Sequence, residues 1–154
     1  MSSIELRVTI SRQTIEVWRG RLLLQSYPVS TSKFGVGNEE GSFQTPLGRF
    51  EICEKYGEDQ ALHTIFNARK PVGKWNARED TEDTDLILSR ILRLNGLEEE
   101  NANAFQRYIY IHGTNHEDKI GSVASNGCVR MTNRDIGELY DLVPLGTPVL
   151  INES

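Results

Sequence analysis

Two side chains in this sequence could carry nucleophilic chemistry together: Cys128 and, sixteen positions before it, His112. A thiol attacks as its thiolate, so a reactive cysteine needs a base or a cation beside it. His112 ends the run Arg107-Tyr108-Ile109-Tyr110-Ile111, and the residues from there to Cys128 are mostly a polar loop that can bring the two together. In Ser125-Asn126-Gly127-Cys128-Val129-Arg130, Gly127 permits a sharp bend just before the thiol. Backbone N–H groups of Gly127 and Cys128 could then face a developing oxyanion, and one such donor is worth about 3 kcal/mol in a transition state. On chemistry alone two readings stand: an acyl-transfer pair, or two structural residues.

The elements that must position this pair are mostly strands. Ile4, Leu6, Val8 and Ile10 alternate with Glu5, Arg7 and Thr9, and Ile15 and Val17 alternate within 14–18. Gly20 marks a turn before a third strand over 22–29, and the three together predict a meander. Residues 30–48 read as loop, ending in the turn Thr45-Pro46-Leu47-Gly48. Strands are expected at 49–55, 86–94, 107–112 and 147–151, with 107–112 buried on both faces and 97–106 a loop or brief helix. The polar stretch 56–84 predicts a long excursion, and the whole of about 54–104 a lid-like region. One helix is predicted over about 133–143: Asn133 caps it, Ile136, Leu139, Tyr140 and Val143 form its stripe, and Pro144 ends it. The fold class is therefore mainly β, a mixed-sheet sandwich or barrel with one helix, in a single domain over 1–154.

Composition narrows the function classes. The 17 Lys and Arg against 22 Asp and Glu leave a net charge of -5, without the basic footprint of a nucleic-acid binder. The first ten residues form a charged, alternating strand rather than an export signal, and no run approaches the ~18 apolar residues of a membrane span. The expectation is a cytoplasmic protein with neither nucleic acid nor membrane as partner. Cys53, flanked by Glu51, Ile52 and Glu54, reads as a small strand residue.

The pattern His112-Gly113-Thr114, Gly121, Ser125-x-Gly127-Cys128-Val129-Arg130-Met131 resembles the signature of the L,D-transpeptidase catalytic domain, the YkuD-type family. The resemblance continues in Tyr27-Pro28-Val29-Ser30-Thr31, in 41–50, and in Asp135, Leu139-Tyr140 and Gly146-Thr147-Pro148-Val149, and is weakest over 55–105. It implies a β-sandwich cysteine enzyme that cleaves the bond between a diamino acid's L-centre and a terminal D-alanine through a thioester, which water or an amine resolves. It implies Cys128 as nucleophile, His112 as base, the Gly113 carbonyl orienting the imidazole, Gly127 and Cys128 as oxyanion donors, and acylation by carbapenems. Many members carry a second His where this chain has Asn126, so His112 would act without it.

Further residues divide between roles. Arg130 would brace the loop or meet a substrate carboxylate, with Ser125 and Asn126 beside it as candidate substrate-binding residues. Arg90, inside an apolar run, is a snorkelling surface residue or a clamp for the terminal carboxylate. Trp75 is a lid aromatic or a packing anchor; Tyr110, two positions before His112, shares its side of the strand. His63 reads as solvated, and a zinc site from His112, His116, Asp118 and Cys128 is disfavoured because Gly113 and Asn115 argue against helical spacing. No metal, cofactor or obligatory protein partner is expected. The substrate is a peptidoglycan tetrapeptide or muropeptide. A cytoplasmic setting favours an L,D-carboxypeptidase of muropeptide recycling over a transpeptidase that cross-links or exchanges D-amino acids. A third possibility is a binding module that holds such fragments without turnover.

Overall fold

The computed structural model describes residues 3–77 and 84–154. The elements run β1 (Ile4–Thr9), β2 (Thr14–Arg19), β3 (Leu22–Pro28), β4 (Gly48–Tyr56), β5 (Thr64–Asn67), β6 (Lys70–Lys74), β7 (Ile87–Gly96), β8 (Tyr110–Thr114), β9 (Val129–Met131), α1 (Asn133–Leu142) and β10 (Pro148–Asn152). This is the expected mainly β chain with a mixed sheet and one helix: β1 pairs β10 and β8 pairs β9 in parallel, and the other pairings are antiparallel.

The meander β1–β3 forms one end of the sheet, joined through β10 and β4 to β7. β7 is the hub. Ile91 to Arg93 pair β4 on one edge and β8 on the other, while Ile87 and Leu88 pair β5 and β8. β4 and β5 therefore follow each other along one edge of β7, separated where the β7–β8 register shifts between Leu88 and Ile91 and Ser89 takes a φ of 73°. Ser30, just beyond β3, exchanges backbone hydrogen bonds of 2.9 and 2.8 Å with Arg130 of β9, which closes the curled sheet on itself.

Alternation along the strands fills one core. Leu6, Val8, Ile15, Val17, Phe50, Ile52, Leu92, Leu94, Ile111, Val129, Met131, Val149 and Ile151 all point into it, together with Ile136, Leu139 and Tyr140 of α1. Each such side chain contributes roughly 1.5–3 kcal/mol when fully buried. The helix cap is Thr132 rather than the expected Asn133: Thr132 accepts from the Asp135 N–H at 3.2 Å, and Asn133 is the first helical residue, with its side chain buried.

Other expectations need correction. Residues 54–104, expected to be a lid-like excursion, contain the end of β4, the β5–β6 hairpin and all of β7. The hairpin sends Phe66 into a second apolar cluster with Ile91 and Tyr110, against which Tyr56, Ile87 and Cys128 pack. The strand expected over 107–112 begins only at Tyr110, since Tyr108 adopts a φ of 56° and is 52% exposed. The part of the excursion at 78–83 lies outside the described residues.

Candidate active site

The site grows from the face of β8 and β9 opposite the main core. Ile111 and Val129 point into that core, so Tyr110, His112, Cys128 and Arg130 share the other face. His112 pairs Arg130, and Cys128 is two residues before Arg130. His112 and Cys128 are therefore diagonal neighbours across a strand pair, a separation of roughly 7–8 Å between backbone positions that side chains can bridge. Parallel pairing of two short strands thus does what the sixteen-residue separation does not show.

His112 is 2% exposed, and its Nδ1 lies 2.6 Å from the Gly113 carbonyl. A carbonyl only accepts, so Nδ1 carries the proton of the neutral ring and Nε2 keeps a lone pair for a base. Burial holds the imidazole pKa below its ordinary value; Asp85 and the Gly113 carbonyl oppose that shift, and Arg130 adds to it. Gly113 has no room for a side chain, as a Cβ there would lie 2.5 Å from Asn133 Oδ1 and 2.6 Å from the Leu88 carbonyl.

Cys128 is half-buried, with its Sγ accepting from the Tyr110 N–H at 3.3 Å and donating to the Tyr108 carbonyl at 3.4 Å. Burial pushes the thiol pKa up to about 11; the Tyr110 N–H, Arg130 and Arg107 pull it down and Asp85 pushes it further up. Burial thus disfavours the charged form of both groups. Such surroundings suit general-base chemistry, in which proton removal accompanies attack, better than a standing ion pair.

The turn before the cysteine is braced internally. Gly127 has a φ of 125°, and Thr45 Oγ1 donates to its carbonyl at 3.0 Å. Ser125, 1% exposed, accepts from the Gly127 N–H at 3.2 Å and donates to the Cys128 carbonyl at 2.7 Å. Ser125, expected beside the substrate, here shapes the turn, and the Gly127 N–H, expected to face an oxyanion, is directed at Ser125. The Thr45-Pro46-Leu47-Gly48 segment also acts at the site, since Thr45 bonds both Gly127 and the Ser32 N–H.

Asn126 is exposed and lies 3.5 Å from Asp85 Oδ2, which also pairs Arg130 Nη2 at 2.9 Å. Beside it a cleft of about 290 Å³ opens onto Cys128, lined by Glu40, Phe43, Arg107, Tyr108 and Asn126. Tyr110 is 4% exposed and lies beneath the thiol, its hydroxyl accepting from Arg69 at 2.9 Å.

Two expected substrate contacts lie elsewhere. Arg90 stacks 5.6 Å from the Tyr140 ring and donates to the Ser89 carbonyl at 2.6 Å, so the bulge at Ser89 turns it toward the helix. Trp75 follows β6, an edge strand separated from β8 by β5 and β7. It packs on His63 at 5.9 Å between ring centres and donates its backbone N–H to the His63 carbonyl, leaving His63 half-buried rather than solvated. Sequence reasoning missed Asp85, Arg107 and Tyr108 as site residues. Asp85 ends an acidic stretch that nothing distinguishes locally, and Arg107 and Tyr108 lead into an apolar run whose sequence reads as one continuous strand.

A family model described as the L,D-transpeptidase catalytic domain matches residues 4–151, and the chain belongs to that family. The candidate L,D-transpeptidase YkuD of Bacillus subtilis is 29% identical over 147 residues, which is 96% of this chain and 65% of that protein. Its Bacillus licheniformis counterpart is 28% identical over 146 residues, 95% of this chain and 64% of that protein. Among solved structures, an L,D-transpeptidase from Mycobacterium smegmatis shares the fold with a TM-score of 0.66 at 18% identity, covering 98% of this chain and 59% of that one. L,D-transpeptidase 3 from Mycobacterium tuberculosis, solved with a faropenem-derived adduct, has a TM-score of 0.64 at 17% identity over 99% of this chain and 61% of that one. The chain spans less than two thirds of each of these relatives.

Proposed function

We propose that this chain is a cysteine acyl-transfer enzyme acting on peptidoglycan stem peptides. Cys128 attacks the carbonyl of the L-diamino acid, His112 Nε2 takes the thiol proton and passes it to the departing D-alanine nitrogen, and the thioester is then opened by water. The observation that carries this reading is the shared face of β8 and β9, where a buried imidazole with its Nδ1 on the Gly113 carbonyl lies diagonal to a half-buried thiol at the mouth of a cleft. Membership of the L,D-transpeptidase family supports the substrate class. The mixed lining of the cleft, aromatic at Phe43 and Tyr108 and charged at Glu40 and Arg107, suits a zwitterionic peptide.

Water as acceptor makes the activity an L,D-carboxypeptidase, working in the cytoplasm on recovered muropeptides. The small space at the thiol, about 290 Å³, supports water over a second peptide stem. Incubation with a purified disaccharide tetrapeptide, read by mass spectrometry, tests both levels. Loss of one alanine residue supports the carboxypeptidase; a dimer or a D-amino-acid exchange product replaces it with a transpeptidase; an unchanged tetrapeptide rejects the enzyme. Fractionation of the native host, probed for this chain, tests the compartment.

A further inference from the structure

On the other flank of Asn126 a smaller cavity of about 120 Å³ is lined by Lys33, Lys119, Arg130, Asp85 and His116. Three basic side chains and one carboxylate share that lining. Arg130 is only 3% exposed and spends one nitrogen on Asp85, at 2.9 Å; its Nε and Nη1 have no hydrogen-bond partner among the described residues. Arg130 Nε and Nη1 lie behind the cavity wall, and the two lysines beside the Arg130–Asp85 pair leave the lining with a surplus of positive charge that suits an anion. The cavity has the volume of about four waters, enough for a small residue carrying a carboxylate.

Its position relative to Cys128 selects which carboxylate. Arg130 follows Cys128 by two residues on the same strand face, about 6.6 Å along β9. A terminal carboxylate lies one residue, about 3.5 Å, beyond the scissile carbonyl. A carbonyl held at Cys128 thus brings the C-terminal carboxylate within reach of the cavity. Lys33 is fixed at the same turn, since its backbone N–H donates to the Ser125 carbonyl at 3.0 Å.

We propose that Arg130, Lys33 and Lys119 form a carboxylate pocket for the residue that leaves, restricting the enzyme to donors with a free C-terminus. The assignment rests on the acyl-transfer reading above, and its test separates the two. The Cys128→Ala protein is titrated with N-acetyl-D-alanine and with N-acetyl-D-alaninamide while backbone amide resonances are followed. The acid should perturb Lys33, Lys119 and Arg130 saturably, the amide should bind at least about tenfold more weakly, and Lys33→Gln with Lys119→Gln should remove the difference. In turnover, the double variant should raise KM for the free tetrapeptide about tenfold or more and leave KM for its C-terminal amide unmoved. Equal binding of acid and amide overturns the pocket, as does discrimination that follows amidation of the diamino acid's own carboxylate instead. Absence of any turnover rejects the acyl-transfer reading, while the titration still decides whether the pocket binds a carboxylate.

Discussion

His112 and Cys128 are ordinary residues whose surroundings set opposite protonation tendencies, one pKa lowered and the other raised by burial. A lowered His pKa keeps Nε2 unprotonated to lower pH, so activity should be lost only as pH falls through a value below the usual ~6.5. A kcat/KM profile whose acid limb lies above 7 would contradict that environment. The thiol, with a pKa pushed up to about 11, should show no thiolate absorbance at pH 7–8 in a wild-type minus Cys128→Ala difference spectrum. A clear thiolate signal at pH 7 would mean a standing ion pair and a different mechanism. At the turn, Thr45→Val removes the donor to the Gly127 carbonyl and the acceptor of the Ser32 N–H, both buried. It should destabilise the protein by about 1–3 kcal/mol in denaturant unfolding, and an unchanged midpoint would show that the brace is dispensable. At this scale the sequence was most informative: a His closing an apolar strand and a Gly-Cys turn are local signals. Asp85 and Lys33 were not legible, because a charge acquires a role only from what the fold sets opposite it.

The elements explain how two residues far apart in sequence meet. Parallel pairing of β8 with the three-residue β9 sets His112 against Arg130 and leaves Cys128 diagonal to it. The longer, alternating strands were readable from period-two patterning, as was α1 from its apolar stripe. β9 was not, since three residues carry no period and their pairing is entirely nonlocal. β5 and β6 were hidden for a related reason: β6 is wholly exposed, so nothing in Lys70–Lys74 alternates. The hairpin nonetheless supports the site, burying Phe66 against Ile91 and Tyr110 and placing Arg69 on the Tyr110 hydroxyl. Phe66→Ala should therefore cost about 3–5 kcal/mol of stability and loosen the wall beneath Cys128. Thermal unfolding reads the first effect and alkylation rate at Cys128 the second. If Tm is unchanged, the hairpin is the free-standing excursion that its polar sequence suggested.

Across the whole molecule, one curled sheet separates two tasks. Its inner face, closed by the Ser30–Arg130 bridge, holds the main core and α1, while the outer face of β7 to β9 carries His112 and Cys128 over a smaller apolar cluster. The second thiol lies apart from that arrangement. Cys53 bonds the Arg93 carbonyl at 3.5 Å, and burial raises its pKa. One measurement tests the central claim, an acyl-enzyme on Cys128, most directly: intact mass of the protein after incubation with a carbapenem, followed by peptide mapping. The account predicts a single adduct per chain on the peptide containing Cys128, retained in Cys53→Ala and abolished in Cys128→Ala. An adduct that persists in Cys128→Ala, or maps to Cys53, would contradict it, as would a wild-type chain that acquires none.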